Sequence, residues 1–405
     1  MSNSQTREVF ELVDGQRKRA IIRVIGVGGG GCNTVNQMAQ ADIEDVEFIC
    51  ANTDRDHLEK CVPTNQLQLG MELTRGLGAG SNPEVGRKAA EEDRDRIREM
   101  IEGTDLLFIT AGMGGGTGTG AAPVIAEVAK ELGVLTVAVV TKPFAHENKK
   151  RMNVALRGIE ELRSYVDSLV LIPNDKLGLV LGSKITLFNC FKAANDVLQN
   201  AVKGISELIT RPGYINVDFA DVKTVMSNRG MAMMGIGHAS GEGRAQKAVE
   251  MALSSPLLDD IELSSARGLL VNVTCDESLE MEEWEYINNR VNEIASEEAD
   301  AKFGMAYNPE SNGEIWVTVV ATGLRAPGEK SKELHPTTSP KVTPISKPEL
   351  MPMRASAAAT PNVEVPTYIR NSQPRAAAAG GGSAFPLAVD DDILNIPAFL
   401  RHQAD

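Results

Sequence analysis

The chain has 405 residues, of which 42% are hydrophobic and 24% are charged. That length and balance fit a soluble protein with two domains and a tail. The formal net charge of −14 argues against non-specific binding to DNA, RNA or an anionic membrane surface, because like charges repel. An anionic ligand would have to be held by backbone N–H groups rather than by a basic patch.

Five cysteines are scattered along the chain, and none forms a C-x-x-C pair: Cys32, Cys50, Cys61, Cys190 and Cys275. An odd number at such spacings predicts reduced thiols in a cytosol rather than a disulfide framework or a zinc site. Residues 1–20 lack an apolar run of signal-peptide length, and no apolar stretch reaches 18 residues. We therefore expect a cytoplasmic protein that does not insert into a membrane directly.

The first half of the chain alternates short apolar runs with polar, helix-favouring segments such as 82–103. Residues 1–19, which precede this pattern, are polar and expected to be disordered. The apolar runs predict strands buried on both faces of a parallel sheet: AIIRVIGVG (20–28), VEFICANTD (46–54), LLFITAG (106–112), VLTVAVVTKP (134–143) and SLVLIPND (168–175). The pattern predicts an α/β domain over 20–184.

A long helical pattern follows and is closed by Arg211-Pro212-Gly213, so we assign a central helix to 185–213. Residues 214–325 then predict a smaller α+β domain. Its strands are expected at MAMMGIGHA (231–239), RGLLVNVTC (267–275) and EIWVTVVATGL (314–324). Its helices are expected at RAQKAVEMALSS (244–255) and 281–298. Residues 326–389 hold ten of the nineteen prolines and predict a disordered linker. Hydrophobicity returns in 390–405.

The first glycine-rich loop is Gly26-Val-Gly-Gly-Gly-Gly31, between a predicted strand and a predicted helix. Glycine allows a positive φ and a close approach of backbone to ligand, and the helix N-terminus that follows favours a phosphate. Taken alone, the loop also fits the G-x-G-x-x-G dinucleotide pattern, or a tight turn without a ligand. It is not a P-loop, because no Gly-Lys-Ser/Thr follows.

The second loop, Gly112-Met-Gly-Gly-Gly-Thr-Gly-Thr-Gly120, also lies between a predicted strand and a predicted helix. So many glycines are conformationally costly unless a close backbone approach requires them. The threonine hydroxyls would suit phosphate oxygens as donors. The loop is hard to explain as part of a dehydrogenase.

GGGTGTG at 114–120 resembles the nucleotide-binding motif of the tubulin/FtsZ GTPase superfamily. Further segments are similar to that family: GAGSNPE (78–84), TKPF (141–144), HENKKR (146–151), IPNDKL (172–177), AANDVL (193–198), NVDFAD (216–221) and AMMGIG (232–237). The chain length, the proline-rich linker and the IPAFLR tail favour the FtsZ branch over tubulin. The resemblance implies a Rossmann-like GTPase domain joined by the central helix to the smaller domain, with GTP or GDP bound.

The resemblance also implies roles for individual residues. The phosphates would be contacted by the two glycine loops, at Gly29, Gly30, Gly31, Cys32, Asn33, Gly116, Thr117 and Gly118. Ala79 and Gly80 would lie near the γ-phosphate. Glu147 and Arg151 would face the ribose and phosphates, while Asn174 and Asp196 would recognise guanine and Phe191 would stack on it. A carboxylate at Asp196 suits the N1–H and amino group of guanine; without the resemblance it would pass for a solvated helix residue.

Cys32 departs from the family, which usually has a glycine at this position. Because a Cβ disfavours positive φ, the backbone here is expected to be compatible with an ordinary residue. The substitution also predicts a thiol close to the nucleotide, where oxidation or alkylation would interfere with binding.

NVDFAD places Asp218 and Asp221 three residues apart near a predicted helix start. Read alone, the segment suggests N-capping. The resemblance instead implies that Asn216, Asp218 and Asp221 reach the nucleotide of the next subunit, so that hydrolysis requires a head-to-tail homopolymer. Mg²⁺ is expected on the β- and γ-phosphates, and its protein ligands are not assigned.

The terminal segment DDILNIPAFLR offers apolar anchors on a flexible tether. They are Ile393, Ile396, Pro397, Phe399 and Leu400. The resemblance implies docking to proteins that tether filaments to the membrane at the mid-cell division ring, such as the actin-like FtsA. The alternatives are a frayed terminus or packing on the chain's own globular body.

Two other functions compete with a polymerising GTPase. A monomeric oxidoreductase could use the first glycine loop with Asp54 as the ribose-binding acid, but it would have no use for GGGTGTG or NVDFAD. A scaffold that binds GTP without hydrolysing it would have no use for the pair Asp218 and Asp221.

Overall fold

The structure, a computed structural model, describes residues 20–41, 43, 45–181, 186–211, 215, 217–228, 230–258, 263–296 and 299–324. The predicted disordered N-terminus, the proline-rich linker and the docking peptide lie outside these residues. So do Asn216 and the five tail residues named above.

Ten strands form one sheet in the described part of the chain. They are β1 Ile22–Val27, β2 Val46–Asn52, β3 Asn65–Gln68, β4 Leu106–Gly112, β5 Leu135–Lys142, β6 Ser168–Pro173, β7 Gly230–Ser240, β8 Gly268–Cys275, β9 Asp300–Tyr307 and β10 Glu314–Leu324. The eight strands predicted from apolar runs are all present. The polar strand β3 and the weakly patterned β9 were not predicted.

The helices fill the intervals between the strands. They are α1 Gly28–Gln40, α2 Arg55–Leu58, α3 Met71–Thr74, α4 Pro83–Glu92, α5 Arg94–Ile101, α6 Thr117–Glu131, α7 Lys149–Arg163, α8 Asn174–Leu181, α9 Leu187–Thr210, α10 Phe219–Met226, α11 Arg244–Leu253 and α12 Met281–Ile294. The single helix predicted over 82–103 is divided at Asp93, which separates α4 from α5. The central helix α9 ends at Thr210, just before the predicted stop signal.

The strand order is β3-β2-β1-β4-β5-β6-β7-β10-β8-β9. Only β10 runs antiparallel to its neighbours among these ten strands. The sheet passes without a break from the predicted GTPase region into the predicted α+β region, because Ser168–Val170 of β6 pair in parallel with Gly230–Ala232 of β7. The fold is α/β with a mainly parallel sheet, as the sequence predicted.

Side chains alternate between the two faces of the sheet. Val24 and Phe108 point to the face covered by α1 and α9, whereas Ile25 and Ile109 point to the face covered by α4, α5 and α6. These residues are at most 1% exposed, so helices shield both faces from water. That double cover explains why these strands read as continuous apolar runs.

The parallel direction gives the sheet two distinct ends. We call the end where β1, β4, β5 and β6 terminate the carboxyl end, and the end where they begin the amino end. Both glycine-rich loops lie at the carboxyl end, since they follow β1 and β4 directly. The start of β9 lies at the amino end, because Asp300 pairs with Gly268, the first residue of β8.

Candidate functional site

The glycines of the first loop are required by close backbone packing. Gly28 has a φ of +71°, and a Cβ there would lie 2.8 Å from the amide nitrogen of Gly118 in the second loop. A Cβ on Gly31 would lie 2.3 Å from the carbonyl oxygen of Thr110 on β4. The two loops therefore touch each other directly, and side chains at these positions would push them apart.

The second loop is equally crowded on its inner side. A Cβ on Gly114, whose φ is +93°, would lie 2.8 Å from the backbone oxygen of Arg151. A Cβ on Gly116 would lie 2.9 Å from Cβ of Ala79. Gly115 and Gly80 differ, because nothing lies within 4 Å of their Cβ positions. These two glycines face open space into which a ligand can come.

Two helix N-termini point into this open space. No side chain caps the start of α1 at Val27 or the start of α6 at Gly116. The first backbone N–H groups of a helix have no partner within the helix, and the helix dipole adds partial positive charge there. Two such ends side by side form a site suited to an anion such as a polyphosphate.

A cleft of about 620 Å³ opens beside the loops at the carboxyl end of the sheet. Its lining contains six of the predicted ligand-binding residues together with eight neighbours. The lining residues are Gly30, Asn33, Thr34, Gly112, Met113, Thr141, Pro143, Glu147, Arg151, Asn174, Phe191, Ala194, Asn195 and Leu198.

Asn174 begins α8 directly after β6 and is only 5% exposed. Its side-chain oxygen Oδ1 is buried and accepts no hydrogen bond within the described residues. A buried acceptor without a partner is unfavourable. A ligand in the cleft that donates a hydrogen bond would supply the missing partner.

Glu147 and Arg151 are paired across one turn. Arg151 Nη1 lies 2.9 Å from Glu147 Oε2. The other oxygen of Glu147 accepts from the backbone N–H of Phe144 at 3.0 Å. This fixes the carboxylate and leaves Arg151, whose side chain is half exposed, directed along the cleft toward the glycine loops.

The opposite wall of the cleft is α9, which packs against α1. Phe191 is 45% exposed there and meets Phe144 edge-on, with ring centroids 5.6 Å apart. A large exposed aromatic ring on a cleft wall is suited to stacking on a planar ligand.

Asp196 lies on the adjoining wall of a shallower cleft lined by α1 and α9, which shares Asn33, Phe191 and Asn195 with the main one. Its Oδ1 accepts a short hydrogen bond from Gln37 Nε2. The neighbouring Asn195 accepts from Thr34 Oγ1 at 2.9 Å. Sequence reasoning missed Asn195, although its place in AANDVL beside Asp196 was a usable signal.

The predicted γ-phosphate residues lie beside the second loop. Ala79 is 7% exposed and packs on Gly116, while Gly80 has a φ of +57°. Gly80, Gly115 and Arg151 line a groove of about 1100 Å³ that also includes Lys150, a cation that the sequence reasoning did not select. Anionic oxygens placed here would meet backbone N–H groups and two basic side chains.

Thr117 is 9% exposed, and its hydroxyl lies 2.6 Å from the hydroxyl of Thr53. The hydroxyl of Thr119 accepts from Gly114 N at 2.8 Å. The sequence suggested these hydroxyls as phosphate donors, whereas the structure uses them to brace the loop. The backbone N–H groups at the start of α6 remain for the ligand.

Cys32 has a position different from the one expected for its thiol. The residue lies in α1 with an ordinary helical backbone, as predicted. Its side chain is fully buried, and Sγ contacts the carbonyl oxygens of Gly26 at 3.5 Å and Ala51 at 3.7 Å. The sulfur therefore faces the core between α1 and β2, and the expectation of a thiol beside the ligand does not hold for the side chain.

Asp54, the acid that an oxidoreductase would need, caps α2 instead. Its carboxylate accepts from the backbone N–H of His57 at 3.1 Å. The residue that would mark a dinucleotide site thus has a local structural role.

Asp218 and Asp221 lie far from the glycine loops in the topology of the sheet. Asp218 is at the N-cap position of α10, but its exposed carboxylate does not cap the helix. Asp221 pairs with Lys302 on β9, with Oδ1 and Nζ 3.1 Å apart. Asp221 and then Asp300 raise the pKa of Lys302 above its usual value. Because Lys302 is at the start of β9, this group belongs to the amino end of the sheet.

Family models match the two halves of the described structure. The model described as Tubulin/FtsZ family, GTPase domain, matches residues 21–182, and the model described as FtsZ family, C-terminal domain, matches residues 230–325. This chain belongs to the tubulin/FtsZ family. The glycine loops and Asn174 lie within its GTPase domain, whereas the α9 wall of the main cleft lies between the two matched segments. Strands β7 to β10 form the FtsZ C-terminal domain.

Relatives agree with the family assignment over nearly the whole chain. The chain is 51% identical over 405 residues to a cell division protein FtsZ of Azotobacter vinelandii, covering 98% of this chain and 100% of the relative. It is 52% identical over 400 residues to one of Pseudomonas aeruginosa, with 98% and 100% covered. These matches include the linker and tail that the structure does not describe.

Solved structures share the fold. A structure described as an empty FtsZ dimer from M. jannaschii has a TM-score of 0.73 and 42% identity, with 79% of this chain and 96% of that chain covered. CetZ1 from Haloferax volcanii, described as a GDP-bound monomer, has a TM-score of 0.67 at 20% identity, with 76% and 95% covered. The second likeness concerns the fold alone. No helix within the described ranges combines the length and apolarity needed to span a bilayer.

Proposed function

We propose that this chain is a GTP-hydrolysing cell-division protein that assembles head to tail into filaments. The observation that carries the proposal is the separation of two half-sites at opposite ends of one parallel sheet. The anion-binding loops are at the carboxyl end, and Asp218 and Asp221 are near the amino end. Stacking one molecule on the next along the strand direction would bring the two half-sites together.

GTP would bind with its phosphates over the starts of α1 and α6. Backbone N–H groups at Gly29 to Asn33 and Gly116 to Gly118 would hold the phosphate oxygens, with Gly80 and Gly115 giving room for the γ-phosphate. Phe191 would stack on the base, while Asp196 and Asn174 would pair with its polar edge. A carboxylate at Asp196 accepts from both N1–H and the amino group of guanine, whereas adenine offers no such pair.

Mg²⁺ would neutralise charge on the β- and γ-phosphates during phosphoryl transfer. Within the described residues, no group of three acidic, histidine or cysteine side chains converges at the open side of the loops. The ion would be held largely by phosphate oxygens and water, with its protein ligands unassigned, because Mg²⁺ retains several waters.

Hydrolysis would need a residue that orients water against the γ-phosphate. Glu147, the acidic residue of the main cleft, is already held by Arg151 and the Phe144 N–H. Asp218 has a free carboxylate among the described residues, and Lys302 holds Asp221 in place. Supplied by the adjacent molecule, these carboxylates would polarise the attacking water. Lys302 would then be a positioning residue.

A contact of this kind does not close on itself, because the two surfaces that meet are different. Heterologous contacts repeat in one direction and generate filaments. Loss of the γ-phosphate would remove the contacts that it makes across the junction and would weaken the junction. Each chain would also bind membrane-associated division proteins such as FtsA through its tail, at Ile393, Ile396, Pro397, Phe399 and Leu400. Many weak contacts of this kind along one filament would together give firm attachment.

The proposal is tested by measuring GTP hydrolysis against protein concentration while recording light scattering on the same samples. Activity per molecule that rises above a threshold together with scattering supports a site shared between molecules. Strict proportionality to concentration without polymer would mean that each molecule holds a complete site.

A mixing experiment separates the half-sites. Asp221→Ala retains the nucleotide loops, and Gly116→Val, whose side chain would collide with Ala79, retains the carboxylates. Each variant alone should be inactive, whereas the mixture should regain part of the wild-type rate. Failure of the mixture, with both variants folded and able to enter wild-type polymers, would contradict a shared site.

A further inference from the structure

Three potential metal-ligating side chains meet on the inner side of the first glycine loop, away from the clefts described above. They are Cys32 in α1, His57 in α2 and Cys61, three residues beyond α2. One ligand atom from each lies within 4.8 Å of the other two. Spacing alone did not reveal the group, because Cys32 is far in sequence from the other two residues.

A third sulfur adjoins the group. Cys50 on β2 is fully buried, and its thiol interacts with those of both Cys32 and Cys61. Buried free cysteines usually act as small hydrophobic side chains. Here, by contrast, two sulfurs and an imidazole converge from α1 and the α2 segment, and such donors are typical of a thiolate metal site.

The surroundings raise the pKa of the thiols of Cys32 and Cys61. The hydrogen bond with Cys50, followed by burial, raises the pKa of Cys32. Burial raises the pKa of Cys61 to about 11. Cys32 Sγ donates to Gly26 O, and Cys61 Sγ donates to the carbonyl oxygen of His57 at 3.4 Å. A metal ion would displace the thiol protons, as it does when it binds any cysteine.

The imidazole of His57 is held by a hydrogen bond at each ring nitrogen. Its Nε2 lies 3.1 Å from Asn33 Oδ1, and its Nδ1 lies 3.3 Å from Asn52 Nδ2. An Nε2–H that donates to Asn33 leaves Nδ1 as the basic nitrogen, which accepts from Asn52, and a metal ion at Nδ1 would replace that bond. Metal-bound histidines commonly donate their second N–H to an oxygen acceptor in this way.

We propose that Cys32, Cys61 and Nδ1 of His57 form a binding site for a thiophilic divalent ion, Zn²⁺ in particular, with Cys50 or a water as the fourth ligand. Tetrahedral Zn²⁺ with sulfur ligands needs ligand atoms about 3.8 Å apart. The present separations of up to 4.8 Å require a contraction of about 1 Å. His57 is the partly exposed member of the group, whereas Cys32 and Cys61 are buried.

The site would tie the first glycine loop to the segment after β2. Cys32 follows the loop within α1, and His57 contacts the loop residue Asn33. A bound ion would therefore hold the start of α1 against α2. This inference does not rest on the proposed GTPase function, although the site adjoins the same loop, because its argument uses only the side chains of Cys32, His57 and Cys61.

Co²⁺ titration of the full chain, stripped of metal and kept reduced with a non-thiol reductant, tests the site. Cobalt in a tetrahedral site with thiolates gives a near-ultraviolet charge-transfer band and visible ligand-field bands. We expect saturation at one ion per chain and loss of the bands when Zn²⁺ is added. Cys61→Ala and Cys32→Gly should each weaken binding at least about tenfold.

The matched control is Cys275→Ala. Cys275 is also buried, and burial also raises its pKa to about 11, but it lies on β8, away from the group. It should bind Co²⁺ like the wild type. Absence of the charge-transfer band in wild-type protein would overturn the proposal, as would an undiminished band in folded Cys61→Ala or an equal loss in Cys275→Ala. Circular dichroism checks that each variant is folded, and Cys32→Gly introduces the residue that the family usually has.

Discussion

The two ends of the sheet are built from opposite kinds of residue. At the carboxyl end, glycines let two loops pack backbone against backbone, and two uncapped helices direct N–H groups into open space. At the amino end, Asp218 presents an exposed carboxylate, and the carboxylate of Asp221 pairs with Lys302. The first end can hold an anion but has its acid Glu147 already paired, and the second has acids but no anion site. In the function proposed above, nucleotide binding and nucleotide hydrolysis therefore belong to different surfaces of one chain.

The largest effect on GTP hydrolysis is expected when a carboxylate is removed from the amino end of the sheet. Asp221→Ala should lower GTP hydrolysis by about a thousandfold, the usual scale for losing a group that orients or deprotonates water. GTP affinity of the unassembled protein should stay within about twofold, because Asp221 is remote from its own chain's cleft. Phosphate release at saturating GTP and equilibrium binding of a labelled nucleotide measure the two effects.

Asp300→Ala provides the control, since Asp300 also contacts Lys302, with Oδ1 and Nζ 3.3 Å apart. It should retain most of the activity. Equal losses in both variants would mean that the charge cluster around Lys302, rather than Asp221 itself, supports hydrolysis.

One added methyl group should disrupt the packing of the two glycine loops at the carboxyl end of the sheet. Gly28→Ala would force a non-glycine residue to a φ of +71° and place its Cβ 2.8 Å from Gly118 N. We expect a loss of about 2–3 kcal/mol in the free energy of unfolding, close to a hundredfold in the unfolding equilibrium. Urea denaturation without nucleotide measures it.

Gly115→Ala is the matched substitution on the open side, where no atom lies within 4 Å of the added Cβ. Its unfolding free energy should change by less than about 0.5 kcal/mol. If both alanines destabilise the protein equally, close loop packing is not the reason for the glycines.

In the proposed complex, recognition of the base depends on one functional group, the carboxylate of Asp196. Asp196→Asn replaces an acceptor with a donor opposite the amino group of guanine and should weaken GTP binding by about tenfold to a hundredfold. Xanthine carries an oxygen where guanine carries that amino group. The variant should therefore gain affinity for xanthosine triphosphate, and competition binding measures both nucleotides. A uniform loss for both would show that Asp196 has only a structural role.

The smallest effect is expected at the stacking position. Phe191→Ala should lower GTP affinity by about tenfold, in line with the free energy of one base stacked on an aromatic ring. Leu156→Ala is its control, because Leu156 on α7 is 49% exposed, similar to the 45% of Phe191, but lies outside the clefts. Equal losses would mean that general surface apolarity, not stacking, matters.

The sequence predicted the buried strands because they are apolar on both faces. It missed the two edge strands. The residues Asn-Gln-Leu-Gln of β3 pair with β2 at one edge of the sheet, and β9 pairs with β8 at the other edge. Edge strands are stabilised by pairing with a neighbouring strand, and the local hydrophobic pattern of the sequence does not show that pairing. The break between α4 and α5 at Asp93 was missed for a similar reason, because Asp93 bonds to the distant Gly70 N.

The candidate site was predictable where glycine density or a family motif marked it. Side-chain direction was not, because it depends on which face of α1 meets β2. Cys32 therefore turned inward rather than toward the ligand, and Thr117 paired with Thr53 rather than remaining free. The thiol group with His57 escaped notice because its members come from separate elements. The roles of the predicted site residues, including Asn216 and the tail residues, remain predictions.

The common direction of nine strands gives each molecule, and any stack of molecules, a polarity. In the proposed stack every interior cleft would meet the carboxylates of a neighbour, but the cleft at one terminus would meet only solvent. The nucleotide there would have no hydrolytic partner and would persist until another molecule added. One terminus would therefore carry a long-lived triphosphate cap while the other exposes only acids, and the two termini would grow and shrink at different rates.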